Sequence, residues 1–351
     1  MPEVAILGAG QGGCALAADL TLKGHKVNLF NRTKERIGAI ERNGGIDISG
    51  VAGDGKGLPG LLTTEISRAI DGVETIFVPV PAYGQRFLAD ACAPHLRAGQ
   101  RLILTPGYGG TIELYKIFKA KMISGIIVAE TVTLPYGCRF LGPASVTINN
   151  FFVPKIAALP SRDNGDIVDN VKTYVDVRGG TNVLEVAIRN PNLIIHPPPV
   201  LLNLGCLERN EGIFNVYDEG MSPSVLKCME ALDREVMSLT SAIGGKPIRI
   251  EDLYEEFGCG LVYRMDLSSE KKGKEWLFQE RFITEDIPYG LVFLESLCEK
   301  LRVSCPVTSA LINVADSIRS TNYRKEGRNL QNLGIHVESR DQLVRFVEQG
   351  N

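Results

Sequence analysis

No stretch of this sequence is apolar for long enough to cross a bilayer, and the opening MPEVAILGAG has neither a charged lead nor a cleavage site. A cytoplasmic protein is therefore expected. There is no basic excess: 38 Lys and Arg stand against 41 Asp and Glu, for a net charge of −3. The positive field that gathers nucleic acid or an anionic membrane surface is missing. The eight cysteines, at positions 14, 92, 138, 206, 228, 259, 298 and 305, include no C-x-x-C pair. That argues against a zinc site or a disulfide framework and for reduced thiols. Histidine is scarce, four residues none of which neighbours another, so a His-cluster metal site gains no support. Internal repeats and low-complexity tracts are also absent. What remains is an ordinary globular composition, 44% apolar and 23% charged. At 351 residues the chain exceeds the size at which one core keeps growing, so two domains are expected. The implied partners are small molecules, with room for a second copy of the chain in a homodimer.

The first half reads as α/β. Val4–Gly8 (VAILG) is a short apolar run typical of a buried parallel strand, and GAGQGG follows it at once, leading into the helical text CALAADLTLKG. Gly8, Gly10 and Gly13 fit G-x-G-x-x-G in its required setting of strand, tight turn and helix start, with Gln11 and Gly12 between them. Gly8 permits the turn, Gly10 lets the backbone approach a pyrophosphate, and Gly13 lets helix and strand pack closely. Free N–H groups at the helix N-terminus then hold the phosphates.

A second strand, Lys26–Phe30, ends where an NAD-binding unit offers Asp or Glu to the ribose 2′-OH. This chain offers Asn31 and then Arg32. A neutral amide removes repulsion, and a guanidinium grips a 2′-phosphate. The local chemistry favours NADP, with NAD as the alternative; NRTKER also reads as a plain solvated helix start. Thr75–Ala82, Arg101–Gly110 and Gly125–Pro135 add further strands before helical text. The alternation predicts a doubly wound parallel (Rossmann) sheet with ligands at its C-terminal strand edge. Val80, Pro81, Thr105, Pro106, Gly107 and Glu130 then fall near the nicotinamide end, although each also reads as a turn residue. Cys138–Pro160 is expected to be a β extension of this domain.

From about Val183 helical text dominates, giving an all-helical C-terminal domain. The expected boundaries are 1–180 for the dinucleotide-binding domain and 181–351 for the helical substrate domain, with Arg178–Asn182 (RGGTN) as a short hinge. Such a pairing creates an interdomain cleft where substrates sit. Ser222 and Pro223 read as an N-cap and first helical residue, and Gly244 and Gly245 as a stop.

A nicotinamide supplies hydride but no proton, so the helical domain is expected to carry an acid–base group. Only His196 and His336 lie beyond residue 100, and nothing around His336 recommends it. His196 stands beside Pro197, Pro198 and Pro199, which interrupt helical text. A lone histidine in apolar text also reads as a structural residue, although its pKa suits proton transfer near neutrality. Further on, Arg281 and Asp286 are five apart in a run expected to enter a helix at Pro288. Asp286 reads either as a cap or as the carboxylate that orients the imidazole. Arg281 reads either as a surface cation or as a clamp for a substrate carboxylate.

Taken together, GAGQGG, HPPPVLLN (His196–Asn203), FNVYDEGMSPSV (Phe214–Val225), RFITEDIPYGL (Arg281–Leu291) and YRKEGRNLQNLGI (Tyr323–Ile335) resemble the opine dehydrogenases, the octopine/nopaline dehydrogenase family, over nearly the whole chain. Related two-domain enzymes such as ketopantoate reductase look to a lysine for acid–base work; here the corresponding segment presents His196. The resemblance implies an oxidoreductase that reductively condenses an amino acid with a 2-oxo acid, often pyruvate, through an imine reduced by NAD(P)H. By motif, His196 would be the general acid/base, Asp286 its orienting partner and Arg281 the binder of the oxo-acid carboxylate. Asn203, seven residues after His196, would line the site if the helix resumes unbroken. The departure from NAD-using relatives is Asn31–Arg32. Two other readings stand beside this one: a reductase of a simple 2-oxo or 2-hydroxy acid, and a non-catalytic nucleotide-binding protein.

Overall fold

The structure, a computed structural model, describes residues 3–210, 214–258 and 281–350. Leu261–Glu275, a variable segment of the helical domain, and Cys259 lie outside the described residues. In chain order the strands are β1 (Glu3–Leu7), β2 (Lys26–Phe30), β3 (Ile46–Gly50), β4 (Gly55–Gly57), β5 (Leu61–Thr63), β6 (Thr75–Val78), β7 (Arg101–Leu104), β8 (Ile127–Thr131), β9 (Tyr136–Gly142), β10 (Ser145–Phe151), β11 (Lys155–Leu159) and β12 (Arg178–Gly179). Eight of them form one sheet in the order β12-β11-β8-β7-β6-β1-β2-β5. Neighbours are parallel except where β11 runs antiparallel to β8. The chain moves outward from β1 through β2 to β5 and then returns to β6 on the other side of β1. That reversal is the switch point at which such sheets bind ligands.

Burial explains the apolar text. In β1, Val4 and Ile6 enter one apolar cluster while Ala5 and Leu7 enter another, so both faces of the strand are covered. Helices α1 (Gln11–Leu22), α2 (Lys34–Arg42), α3 (Ile66–Ile70), α4 (Ala82–Cys92), α5 (Gly110–Ala120) and α6 (Asn164–Val171) accompany the sheet. The β extension is present. β9 and β10 form an antiparallel pair within a four-stranded sheet, β4-β3-β10-β9, while β11 joins the main sheet. Burial pushes the thiols of Cys14, Cys92 and Cys138 up to about 12, so these three are packing residues with no thiolate chemistry near neutrality.

The expected hinge is a correction. Arg178 and Gly179 are the edge strand β12, in parallel register with Lys155 and Ile156, and Gly180 N–H donates to Ile156 O at 2.8 Å. A Cβ at Gly180 would lie 2.8 Å from Val186 Cγ2. This glycine serves close packing, where the sequence reading took it for flexibility.

Contacts divide the chain into two compact units. One is Met1–Val186 with two short returns, Phe257–Cys259 and Val347–Asn351; the other is Ala187–Glu256 with Gly260–Phe346. The last turn of the C-terminal helix thus packs with the sheet unit, where Tyr115 donates to Gly350 O at 2.9 Å. Among the described residues no strand follows β12. The helices are α7 (Val183–Ile188), α8 (Asn192–Ile195), α9 (Pro197–Leu202), α10 (Leu204–Arg209), α11 (Pro223–Ala242), α12 (Ile250–Glu256), α13 (Val292–Leu301), α14 (Pro306–Arg319), α15 (Tyr323–Glu326) and α16 (Arg340–Gln349). Helix α11 begins as its sequence specifies, with the Ser222 hydroxyl accepting from Val225 N–H and Pro223 in the first turn. It ends at a left-handed Gly244 (φ +84°), and Gly245 N–H returns to Thr240 O.

Candidate active site

In the sheet unit, the loop leaving β1 is built on three different glycine constraints. Gly8 has φ +133°, and a Cβ there would lie 2.6 Å from Val80 Cγ1. Gly13 is so close to the strand end that a Cβ would fall 1.7 Å from Gly8 O. At Gly10, in contrast, a Cβ would meet nothing within 4 Å, so no protein atom accounts for the smallness of that residue. Helix α1 starts at Gln11 with Gly10 as N-cap and no side chain capping it. Its first-turn N–H groups therefore receive no side-chain cap, as an anion-binding cradle requires. Gly12 faces only the mobile end of Leu134, 2.8 Å from a built Cβ. These residues fit the pyrophosphate of a dinucleotide.

Asn31 caps the end of β2 and pins this loop, its Oδ1 accepting from Ala9 N–H at 3.1 Å. Arg32 is exposed, with its guanidinium 5.7 Å from the centre of the Phe87 ring. Pro81 is the N-cap residue of α4, just past the end of β6. Glu130 does lie at the C-terminal end of β8, but it is fully buried and spent on structure. Its two oxygens accept from Gly109 N–H (2.9 Å) and Thr111 N–H (3.0 Å), closing the start of α5.

In the helical unit, the three prolines do what the sequence suggests. Helix α8 ends at Ile195, α9 begins at Pro197, and His196 is the hinge residue between them (φ −106°, ψ −62°). Its Nδ1 is 2.7 Å from Asp286 Oδ2, with the imidazole 12% and the carboxylate 4% exposed. Burying a carboxylate is costly unless it is paired and hydrogen-bonded, so this contact fixes both side chains. Asp286 does not cap a helix. Residues 281–284 are already helical, and Asp286–Leu291 continues as a π-helical turn that accommodates Pro288. The turn is braced from behind: Arg328 N–H donates to Pro288 O at 2.8 Å, and a Cβ at Gly327 would lie 2.3 Å from the same oxygen. The EGRN segment of the C-terminal motif thus supports the backbone that carries Asp286.

Arg281 points part of its guanidinium at its own helical turn. Its Nε donates to Glu285 Oε2 at 2.8 Å and its Nη2 reaches the same oxygen; Glu285 is 3% exposed and Arg281 44%. Asn203 departs from expectation. The helix does not resume through it but breaks there, between α9 and α10, so the seven-residue spacing returns it to no common face. Its Nδ2 donates to Pro199 O (2.7 Å) and to Gly220 O (3.0 Å), tying the 214–220 loop to α9. Sequence reasoning missed that loop's Tyr217 and also Phe282, both of which touch the imidazole. The available signal was the four-residue spacing of Phe282 and Asp286.

A glycine-lined turn at the switch point of a parallel sheet, and in a separate helical unit an imidazole paired with a buried carboxylate, are compatible with the chemistry of an NAD(P)-dependent dehydrogenase. Residues 180–319 match the profile of the NAD/NADP octopine/nopaline dehydrogenase alpha-helical domain, and residues 4–151 that of ketopantoate reductase PanE/ApbA. The opine dehydrogenase of Arthrobacter sp. (strain 1C) is 31% identical over 343 residues, 94% of each chain. The chain belongs to the opine dehydrogenase family, whose reaction is the reductive condensation of an amino acid with a 2-oxo acid and its reverse oxidation. The protein ocs of Agrobacterium vitis is 22% identical over 99% of both chains. Among solved structures, octopine dehydrogenase in complex with NADH and agmatine superposes with a TM-score of 0.72 at 16% identity, covering all of this chain and 98% of that one. Yersinopine dehydrogenase with NADP+ bound gives 0.68 at 14% identity, over 99% and 98%.

Proposed function

We propose that this enzyme condenses an amino acid with a small 2-oxo acid such as pyruvate, with His196 as proton carrier, Asp286 as its orienting partner and NADP as cofactor. The observation that carries the reading is the 2.7 Å contact between His196 Nδ1 and the buried Asp286 carboxylate. With Nδ1 committed, proton exchange is left to Nε2. Asp286 also favours the imidazolium that forms when Nε2 takes up a proton. As the amine nitrogen bonds to the carbonyl carbon, Nε2 accepts the nitrogen's proton. It passes that proton to the carbonyl oxygen, giving the carbinolamine, and then carries the nitrogen's second proton to the hydroxyl, which leaves as water and gives the imine. When bound, the reduced nicotinamide supplies the hydride for the imine carbon, and a proton delivered to the nitrogen by Nε2 completes the secondary amine. The sheet unit is proposed as the cofactor domain, with Gly8, Gly10, Gln11, Gly12 and Gly13 at the pyrophosphate and Pro81 towards the nicotinamide. The helical unit is proposed as the substrate domain.

Arg281 is proposed to bind the oxo-acid carboxylate. Glu285 receives two of its N–H groups on one oxygen, which fixes the plane of the fork before substrate arrives. Arg281→Ala is expected to raise the Michaelis constant of the oxo acid by roughly 10–100-fold, the weight of a charge-assisted hydrogen bond, with a smaller effect on the amino acid. Steady-state titration of each substrate measures the difference.

The NADP preference rests on Arg32, exposed beside Phe87, and on the neutral Asn31 in place of an acid. Arg32→Ala is expected to lower the NADPH-over-NADH preference in kcat/KM by about tenfold, one lost charge-assisted contact to the 2′-phosphate. An amino-acid by oxo-acid matrix, followed at the NADPH absorbance and repeated with NADH, tests the whole reading. Turnover is expected only with both partners. Oxidation of NADPH by an oxo acid alone would favour a 2-hydroxy acid reductase, and binding without turnover would favour a non-catalytic protein.

A further inference from the structure

Two rings around His196 have no part in the chemistry above. Phe282 lies flat on the imidazole, with centroids 3.6 Å apart and planes 8° from parallel. Tyr217 stands edge-on to both, 6.3 Å from His196 at 61° and 6.2 Å from Phe282 at 64°. Phe282 precedes Asp286 by four residues, and the backbone between them is helical, Glu285 N–H donating to Arg281 O at 2.9 Å. Ring and carboxylate therefore issue from one side of the same segment.

We infer that Phe282 is a positioning residue for His196, and that its flat ring, more than its apolar bulk, is what the reaction uses. This rests on His196 being the proton carrier. A single in-plane hydrogen bond at Nδ1 leaves an imidazole free to rock about the Nδ1–Oδ2 line, which swings Nε2 out of reach of its target. A ring stacked at 3.6 Å blocks that motion, because rotation away from parallel drives imidazole carbons into the phenyl face. The second wall is fixed independently. Asn215 Oδ1 accepts from Tyr217 N–H (3.1 Å) and Asp218 N–H (3.2 Å), and Asn203 fastens Gly220 to α9. The FNVYDEG motif thereby finds its purpose: it holds Tyr217 against the stacked pair. Proton transfer is sensitive to such placement, since a displacement of about 1 Å costs on the order of a hundredfold in rate.

Phe282→Leu and Phe282→Met keep apolar volume and lose the plane, whereas Phe282→Tyr keeps it. Each variant is compared with the wild-type enzyme in thermal melting, NADPH titration and steady-state kinetics in H2O and D2O. The ring-free variants are expected to lose roughly 10–100-fold in kcat with substrate KM values and NADPH affinity little changed. The solvent isotope effect on kcat is expected to grow as the proton step becomes limiting. Phe282→Tyr is expected to stay close to wild type. Ring-free variants that turn over normally, or a Phe282→Tyr variant as impaired as they are, would overturn the inference. His196→Ala run alongside separates the two ideas. If it is inactive while the ring-free variants are not, only the role of Phe282 falls; if it turns over normally, the proton-carrier reading falls with it.

Discussion

His196→Ala is expected to lower kcat by roughly 10²–10⁴-fold, the usual worth of a positioned general acid–base group, while NADPH binding stays unchanged. The separation follows from where the side chain is. The imidazole belongs to the helical unit, between α8 and α9, and the glycine cradle belongs to the sheet unit. Asp286→Asn tests the partner with almost no change of shape. An amide that donates to Nδ1 forces the ring proton onto Nε2, the tautomer that cannot accept one, and it offers no charge to an imidazolium. A loss of at least about a hundredfold is expected. Single-turnover oxidation of NADPH measures the chemistry, and fluorescence titration of NADPH measures binding. Either variant working at near-normal rate would remove the proposed mechanism.

The second large effect is a contrast between two glycines three residues apart. Gly13→Ala places a methyl 1.7 Å from Gly8 O, backbone against backbone, where no side chain is available to give way. Helix α1 has to move off the sheet, at an expected cost of about 3 kcal/mol or more. Both stability and NADPH binding are lost. Gly10→Ala meets no protein atom within 4 Å, and its φ of −72° suits any residue. Stability is expected to hold within about 0.5 kcal/mol. The methyl projects into the space where the pyrophosphate is proposed to lie, so NADPH binding is expected to weaken by about tenfold or more. Urea denaturation and NADPH titration of both variants decide it. An alanine at Gly10 that binds the cofactor normally would place the phosphates elsewhere.

Gly8 and Gly13 show why the nucleotide fold was legible in the sequence: the turn and the close packing each restrict residue type directly. The proline-flanked histidine was legible for the same reason, since three prolines interrupt a helix wherever they occur. Other features were not, because the same residues serve opposite ends. Gly179–Gly180 looks like a flexible joint, yet it is sheet edge and tight packing. Asn203 sits seven residues from His196, but helical periodicity presumes an unbroken helix, and Asn203 occupies the break. Glu130 sits where the strand-edge rule placed it and is consumed there by the amides of α5. Phe282 was overlooked because the four-residue spacing that sets it beside Asp286 does not declare which ring it will face.

The widened turn at Asp286–Leu291 carries a consequence for how such enzymes diverge. A π turn holds about one residue more than a regular turn, and each residue of a helix advances by about 100° around its axis. Loss of a single codon there would swing everything upstream, Phe282 and Arg281 included, through more than a quarter revolution relative to α13, and a different side chain would meet the imidazole. The identity of the group facing His196 is thus held by a count of residues as much as by their kinds.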